Sequence, residues 1–456
     1  MRICIIKIGA DGDVIRTIPI AKAIKQKFPS CTLTWITGEE IKAMLEGNPY
    51  IDELASIKDE FRKEFDILYN FDMDKMAFNV LSKINAKEKY GFYEQEGFPS
   101  SFNLASEYYL NTIFDDDLKK ENKKTYQQMI FEAAELNYNK EHDTIYLTEE
   151  EKDYAKSFLL TNGINGEKII GIHLGASSRW PSKTWHIDNL INFIKILNSK
   201  NYTPILFGGP NEKEIIDKLK LRFQSEGIKC FFNNPNNTKR EFAALIDLCD
   251  KVICGDSLAL HVALALKKLT IGLFFCTSPN EIEDYGLLRK IISPKLYEFF
   301  PEKQDQYDEA LVKSISPEEV FNVLNSLDNI RVINAIIKND EEKFLLIKRK
   351  EGIHNGKWAF PGGVVEVGET LQESLMREIK EETNLKFKKI IKKIANYEYL
   401  RPDGKVTLGE SYFIEIENGP ILINTESDGF VWATIEEIQR MDTVPGIDEE
   451  ALLSFE

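Results

Sequence analysis

The chain has 456 residues, 43% of them hydrophobic and 29% charged, which is enough for two to four domains with substantial cores. Its formal net charge of −16 argues against non-specific nucleic-acid binding, because a polyanion is repelled, yet leaves room for a nucleotide gripped by local groups. No run of about 18 apolar residues occurs and the six cysteines form no C-x-x-C pair, so the expectation is a cytoplasmic protein with reduced core thiols, at most peripheral to the inner membrane.

Residues 2–8 (RICIIKI) are an Ile-rich run, followed by a GADGDV turn and a helical pattern through Ile15, Ile18, Ile20 and Ile24. That order of strand, tight loop and helix opens a doubly wound α/β unit. TLTWIT (32–37) and FDILYNF (65–71) read as further strands. Gly9 and Gly12 do not complete G-x-G-x-x-G, so a dinucleotide fingerprint is not supported. From about Lys87 to Asn139 the chain is polar and rich in Tyr and Asn, with the cluster LKKENKK at 118–124. A solvated helical excursion is expected there. The alternative is a membrane- or acceptor-facing surface, since a glycolipid phosphate needs such cations.

A second α/β unit begins at KIIGIHL (168–174). It continues with GASSRWPSKTW, a helix over 187–199, the strand TPILFGG (203–209) and a helix from about Asn211. After these come the helix 240–249, the strand KVICGD (251–256), the helix 258–268 and the strand LTIGLFF (269–275). Strands alternating with helices imply a parallel sheet with ligands at the carboxyl ends of its strands. Ser316-Pro317-Glu318-Glu319 is a helix start, with a cap, Pro in the first turn and Glu at the third position. Past Asp328-Asn329 the period switches to that of strands.

Two Rossmann-like lobes in tandem, closed by a helix, is the layout of GT-B glycosyltransferases. The stretches KIGADGDVIRTIPIAKAIKQKFP, HLGASSRWPSKTW, FGGPNEKE and GDSLALHVALALKKLTIGLFFCTSP resemble the ADP-heptose:lipopolysaccharide heptosyltransferases, glycosyltransferase family 9, over about residues 1–328. The resemblance implies an acceptor-side lobe (1–155) and a donor-side lobe (156–328). It also implies a nucleotide-sugar donor, a glycolipid acceptor at the inner membrane face, and no metal in these lobes. Inverting transfer needs a base for the acceptor hydroxyl and cations or amides for the departing diphosphate. By the resemblance Asp13 is the general base; its other reading, compatible with the first, is a cap on the helix that follows. Gly12 in the same turn is then a substrate contact. Lys183 falls on the phosphate-contacting lysine, with Ser177 and Ser178 as hydroxyl donors and Arg179 assisting. Glu212 falls near the nucleoside, and Asp256, Ser257 and His261 fall on D-T-G-x-x-H. His261 reads equally as a core histidine. Two positions depart from the pattern: Leu258 and Phe275 stand where the family has glycine. They suggest a reshaped donor pocket, and with it the alternative that the lobes bind a nucleotide sugar and regulate without transferring it.

The stretch GVVEVGETLQESLMREIKEETNL (363–385) holds the densest chemistry. Thr370 and Glu373 form a capping box, Leu371, Leu375 and Ile379 an apolar stripe, and Glu378, Glu381 and Glu382 a crowded acidic face. Oxygen ligands so placed suit Mg²⁺ or Mn²⁺. The stretch resembles the Nudix signature G-x5-E-x7-R-E-U-x-E-E-x-G-U through Gly363, Glu369, Arg377, Glu378, Ile379, Glu381, Glu382 and Leu385. Asn384 replaces the family's glycine, at a position where left-handed geometry is expected and Asn is the next best residue. The resemblance implies an α+β Nudix domain (an α/β/α sandwich, 329–456) that cleaves a nucleoside diphosphate-linked small molecule. Glu378, Glu381 and Glu382 would hold the metal, Arg377 would orient them, and Glu369, Glu410 or Glu426 would be the extra base or ligand. Trp358, Tyr397, Tyr399 and Tyr412 are stacking candidates that are more often core.

Overall fold

The computed structural model describes residues 1–59, 64–165, 168–175, 179–327, 330–350, 354–366, 369–400, 406–417, 419–424 and 426–455; the side chains of Tyr399, Leu400 and Val406 lie outside that description. The chain divides into two compact units, Met1–Val323 and Leu324–Glu456.

The first unit contains two six-stranded sheets. In the first sheet, β1 (Arg2–Ile6), β2 (Thr32–Thr37), β3 (Glu53–Ser56), β4 (Phe65–Asn70), β5 (Ala86–Gln95) and β6 (Phe98–Ser101) lie in the order β3-β2-β1-β4-β5-β6. All its pairings are parallel except the β5–β6 hairpin. Ile5 lies between Trp35 and Tyr69 in register, and all three are buried, so the apolar runs become central strands covered on both faces. The polar stretch after Lys87 is therefore only partly helical. KEKYGFYEQ extends the sheet within β5, with Gly91 and Phe92 buried at its middle and its polar ends exposed.

The second sheet is formed by β7 (Ile169–His173), β8 (Thr203–Phe207), β9 (Phe231–Phe232), β10 (Lys251–Gly255), β11 (Leu269–Phe274) and β12 (Leu288–Ile292). Its order is β12-β11-β10-β7-β8-β9 and it is parallel throughout. The helices Ile187–Ser199, Lys213–Glu226, Lys239–Asp247 and Leu258–Ala265 fall where the sequence places them. Ser316 Oγ accepts from the Glu319 N–H at 3.1 Å, capping the helix Pro317–Ser326. One apolar core runs from β1 and its helix through Tyr126 to the helix Leu258–Ala265, so the two lobes share buried contacts.

In the second unit, β13 (Ile330–Ile336), β14 (Phe344–Arg349), β15 (Trp358–Ala359), β16 (Gly362–Val364), β17 (Lys386–Leu400), β18 (Val406–Glu417) and β19 (Ser427–Ala433) form two sheets, β16-β13-β18-β17 and β15-β14-β19. Leu375 and Ile379 of the helix Leu371–Thr383 pack on one side with Ile333 and Ala335. Ile438, Ile447 and Ala451 pack on the other with Ile336 and Phe344. Helices on both faces give an α/β/α sandwich. All six cysteines are free, five buried and Cys230 half-buried.

Candidate active sites

The turn that follows β1 is held by Asp72, just past β4. Its carboxylate accepts from Lys7 Nζ at 2.5 Å, from the Gly9 N–H at 3.0 Å and from the Ile8 N–H. The helix Asp11–Thr17 is capped by Ala10 with no side-chain bond, so Asp13 does not serve as its cap. Asp13 instead accepts from Arg16, one turn on, at 2.8 Å, and lies 4.0 Å from Lys7 Nζ. Arg16 stacks on Tyr126, its guanidinium carbon 3.8 Å from the ring centroid. Burial pushes the Asp13 carboxyl up, but Arg16, Lys7 and His261 together hold it below its usual value. It is ionised at neutral pH, as a proton acceptor must be.

The second lobe meets this helix directly. A Cβ on Gly12 would lie 2.6 Å from His261 Cδ2, so the absence of a side chain at Gly12 lets the helices Asp11–Thr17 and Leu258–Ala265 touch. His261 is 5% exposed, with Nε2 4.0 Å from Asp256 Oδ1. Burial and Arg16 hold its ring down to about 4, so it is neutral at pH 7. Lys183, ending the short turn Pro181–Lys183, donates to Asp256 Oδ2 at 2.9 Å. Burial raises the Asp256 carboxyl, while Lys183 and His261 bring it well below the usual range. Ser257 Oγ lies 3.5 Å from His173 Nδ1. Glu212 accepts the Gly209 N–H at 2.8 Å and so braces the loop after β8. Lys239 ties the lobes together through Asp11 at 3.2 Å and Glu40 at 3.3 Å.

Gly12, Asp13, Lys183, Glu212, Asp256, Ser257 and His261 all line one cleft of about 940 Å³, a volume suited to a nucleotide-sized ligand. Arg179 lines it too, whereas Ser177 and Ser178 lie outside the described residues. Of the two residues at the family's glycine positions, Leu258 lines the cleft. Phe275 is 1% exposed in the core and is not among the lining residues.

In the second unit, Thr370 and Glu373 make both bonds of the capping box. Asn384 stands at φ 60°, left-handed as expected. Arg377 holds Glu369 through Nε (2.7 Å) and Nη2 (3.0 Å), and donates from Nη1 to Glu378 (2.7 Å) and Glu381 (3.2 Å) and from Nη2 to the Val364 carbonyl (2.9 Å). Glu382 accepts the Gly362 N–H at 2.6 Å. A Cβ on Gly363 would lie 2.4 Å from the Glu378 carboxylate, so that glycine makes room for it.

The glycosyltransferase family 9 (heptosyltransferase) model matches residues 55–310, somewhat more than half of the chain. The chain belongs to glycosyltransferase family 9. The family 9 lobes are similar to lipooligosaccharide heptosyltransferase 2 of Haemophilus influenzae, 27% identical over 224 residues that make up 45% of this chain and 64% of that protein. The crystal structure of the glycosyl transferase family 9 from Veillonella parvula matches with a TM-score of 0.59 at 19% identity, covering 72% of this chain and 96% of that one, and shows the shared fold. The NUDIX domain model matches residues 328–452. Nucleoside triphosphatase NudI of Escherichia fergusonii is 32% identical over 124 residues, 24% of this chain and 86% of that protein. The chain thus joins a family 9 glycosyltransferase to a Nudix hydrolase, a domain class that works with a metal ion.

The Nudix residues fit a divalent cation in part. Burial pushes Glu382 up to about 8, with Glu378 adding to the rise, and burial raises Glu378 as well. A half-buried and a buried carboxylate one helical turn apart are what a hard cation relieves. Glu381 is different: its side chain is 55% exposed and turned to Arg377. Among the described residues no three His, Cys, Asp or Glu side chains converge closely enough to hold an ion as they stand. The expected three-carboxylate cluster is therefore split, because Arg377 Nη1 draws Glu378 and Glu381 to itself. Glu410 is taken up by Arg331, Lys393 and Tyr412, whereas the charge of Glu426 is felt at Glu382. Tyr412 is buried in the core, Trp358 is half-buried, and the Tyr397 ring lies over Gly409.

Sequence reasoning missed Lys7, Asp72, Arg16, Tyr126, Lys239 and Glu281 in and around the cleft. Arg16 alone carried a local signal, lying three residues from Asp13 on one helix face. The others come together only through strand order and lobe packing.

Proposed function

We propose that the family 9 lobes transfer a sugar, with inversion, from an ADP-heptose-like nucleotide-sugar donor to a hydroxyl of a glycolipid at the inner face of the membrane. Asp13 takes the proton from the acceptor hydroxyl, held ionised and oriented by Arg16 and Lys7. Lys183 neutralises the departing diphosphate and exchanges its bond to Asp256 for one to phosphate. Ser177 and Ser178 donate hydrogen bonds to the same group, and Glu212 meets the nucleoside. The observation that carries this reading is that Asp13 of one lobe and Lys183 of the other line the same cleft. The protein works in the cytoplasm; no helix among the described residues is long and apolar enough to cross a membrane.

The Nudix domain hydrolyses a phosphoanhydride in a nucleoside diphosphate-linked small molecule. Glu378, Glu382 and a reoriented Glu381 would hold Mg²⁺ or Mn²⁺, which would supply charge stabilisation for the attack of water. Arg377 sets the carboxylates, and Glu369 braces Arg377. Since one half consumes a nucleotide sugar, the other processes a related nucleotide. To test both halves, the full chain is incubated with ADP-heptose, ADP-ribose, nucleoside triphosphates and dinucleotides, with and without Mg²⁺. Metal-dependent hydrolysis that survives Glu381→Gln, or sugar transfer untouched by Asp13→Asn, would contradict these assignments. A second reading, in which the lobes bind a nucleotide sugar without transferring it, draws on the Leu258 side chain in the cleft. It predicts donor binding by calorimetry with no transfer and no effect of Asp13→Ala.

A further inference from the structure

The cleft contains one carboxylate that the transfer chemistry above does not use. Glu281 ends the short turn Pro279–Glu281 after β11 and lines the cleft beside Ile282 and Gln304. Across from it the acceptor-side lobe presents Arg16, Thr112, Ile113 and Lys119. The electrostatic neighbours of Glu281 are Arg16 and Lys119 on its attractive side and Asp13 and Asp256 on its repulsive side, so it faces the neighbourhood of the proposed base. Among the described residues no hydrogen bond or ion pair engages its carboxylate. Asp13 and Asp256, by contrast, are each neutralised by a cation within 2.9 Å. The Arg16 Nε, also without a partner among the described residues, is buried nearby.

A half-buried carboxylate with no protein donor is costly until a ligand supplies one. The donor's diphosphate cannot be that ligand, because like charges repel in a low-dielectric cleft. A sugar hydroxyl or ammonium group can.

Building on the reading of the cleft as a transfer site, we propose that Glu281 reads the acceptor: it accepts hydrogen bonds from a hydroxyl or amino group beside the attacking oxygen and disfavours an acceptor with an acidic group there. The substrate class is a neutral or amino-substituted sugar. Lys119, on the opposite lobe, leaves room for an anionic group farther out.

The test uses the full chain saturated with ADP and three methyl glycosides as probes: mannoside (neutral), glucosaminide (cationic) and glucuronide (anionic), with affinities measured by ligand-observed NMR. The wild type should bind glucosaminide and mannoside more tightly than glucuronide. Glu281→Gln should shift the glucosaminide-to-glucuronide ratio on the order of tenfold toward glucuronide, as expected for losing a charged hydrogen-bond acceptor. ADP and ADP-heptose affinities should stay as in the wild type. The proposal is overturned if no glycoside binds the wild type, if the three are not discriminated, or if the variant weakens all three alike. Weaker ADP-heptose with unchanged ADP would also overturn it, by moving Glu281 to the donor sugar. Failure of ADP to bind, or ADP binding indifferent to Lys183→Ala, instead removes the reading of the cleft itself.

Discussion

Asp143 provides a quantitative test of the packing beneath the cleft. It is 1% exposed, and its Oδ1 accepts from the Tyr285 hydroxyl at 3.1 Å. The same hydroxyl accepts from Gln127 Nε2 at 3.0 Å. Asp143 Oδ2 and Gln127 Oε1 are both buried without a partner among the described residues, and Gln127 lies within hydrogen-bonding range of the Asp143 carboxyl. A carboxyl this deeply buried is favoured in its protonated form. Burial pushes this carboxyl up to about 8, only partly offset by Tyr285, Arg16 and Gln127. Because the folded value lies above the unfolded one, the native state binds the proton more tightly. The stability this brings is complete below about pH 4 and is lost as the pH rises through about 8. The gap of about four units at about 1.36 kcal/mol each sets an upper bound of about 5.5 kcal/mol, and relaxation around the ion brings the expected loss to about 2–4 kcal/mol. Asp143→Asn keeps the shape and cannot titrate. The variant should match the wild type near pH 4 and gain on it steadily to about pH 8. There it should melt roughly 3–6 °C higher, at about 1.5 °C per kcal/mol for a unit of this length. Thermal unfolding of both proteins at five pH values reads this directly. Parallel curves, or a variant less stable at pH 8, would refute the buried proton.

Other predictions follow from single contacts. Gly12→Ala places a methyl 2.6 Å from His261 Cδ2, so lobe contact should loosen and ADP affinity fall about tenfold or more, read by calorimetry, with far-ultraviolet dichroism unchanged. Because burial holds both His261 and His173 down to about 4, the pH profile of sugar transfer should show no step between pH 5 and 8 from either ring, and a break near 6.5 that vanishes in His261→Asn would contradict the structure. Asn384→Val forces a β-branched residue into φ 60° and should cost about 1–2 kcal/mol in urea unfolding, while Asn384→Gly should be neutral within a few tenths. Arg377→Lys loses the two-pronged grip on Glu369 and should lower Nudix turnover on the order of tenfold or more at unchanged melting temperature; equal turnover would show that Arg377 does not position the acidic face.

Local patterns determined much of this protein. Ile-rich runs became central strands, Thr370 and Ser316 capped their helices, and Asn384 adopted the left-handed turn, because each depends on neighbours a few residues away. The acidic helix and the Gly-Asp turn were legible for the same reason: their spacing is itself the chemistry. The β5 strand was not, since a polar stretch carries no strong period and joins the sheet only because β4 offers it an edge. Nor did the sequence reveal that Arg377 divides the glutamates. Only the tertiary structure placed Asp72 on the turn after β1, Tyr126 under Arg16, His261 against Gly12, and Glu281 opposite Lys119. Each of these pairs joins positions far apart in the chain, and electrostatic and packing forces act over a few ångströms, so no reading of spacing can supply which distant residues those few ångströms contain.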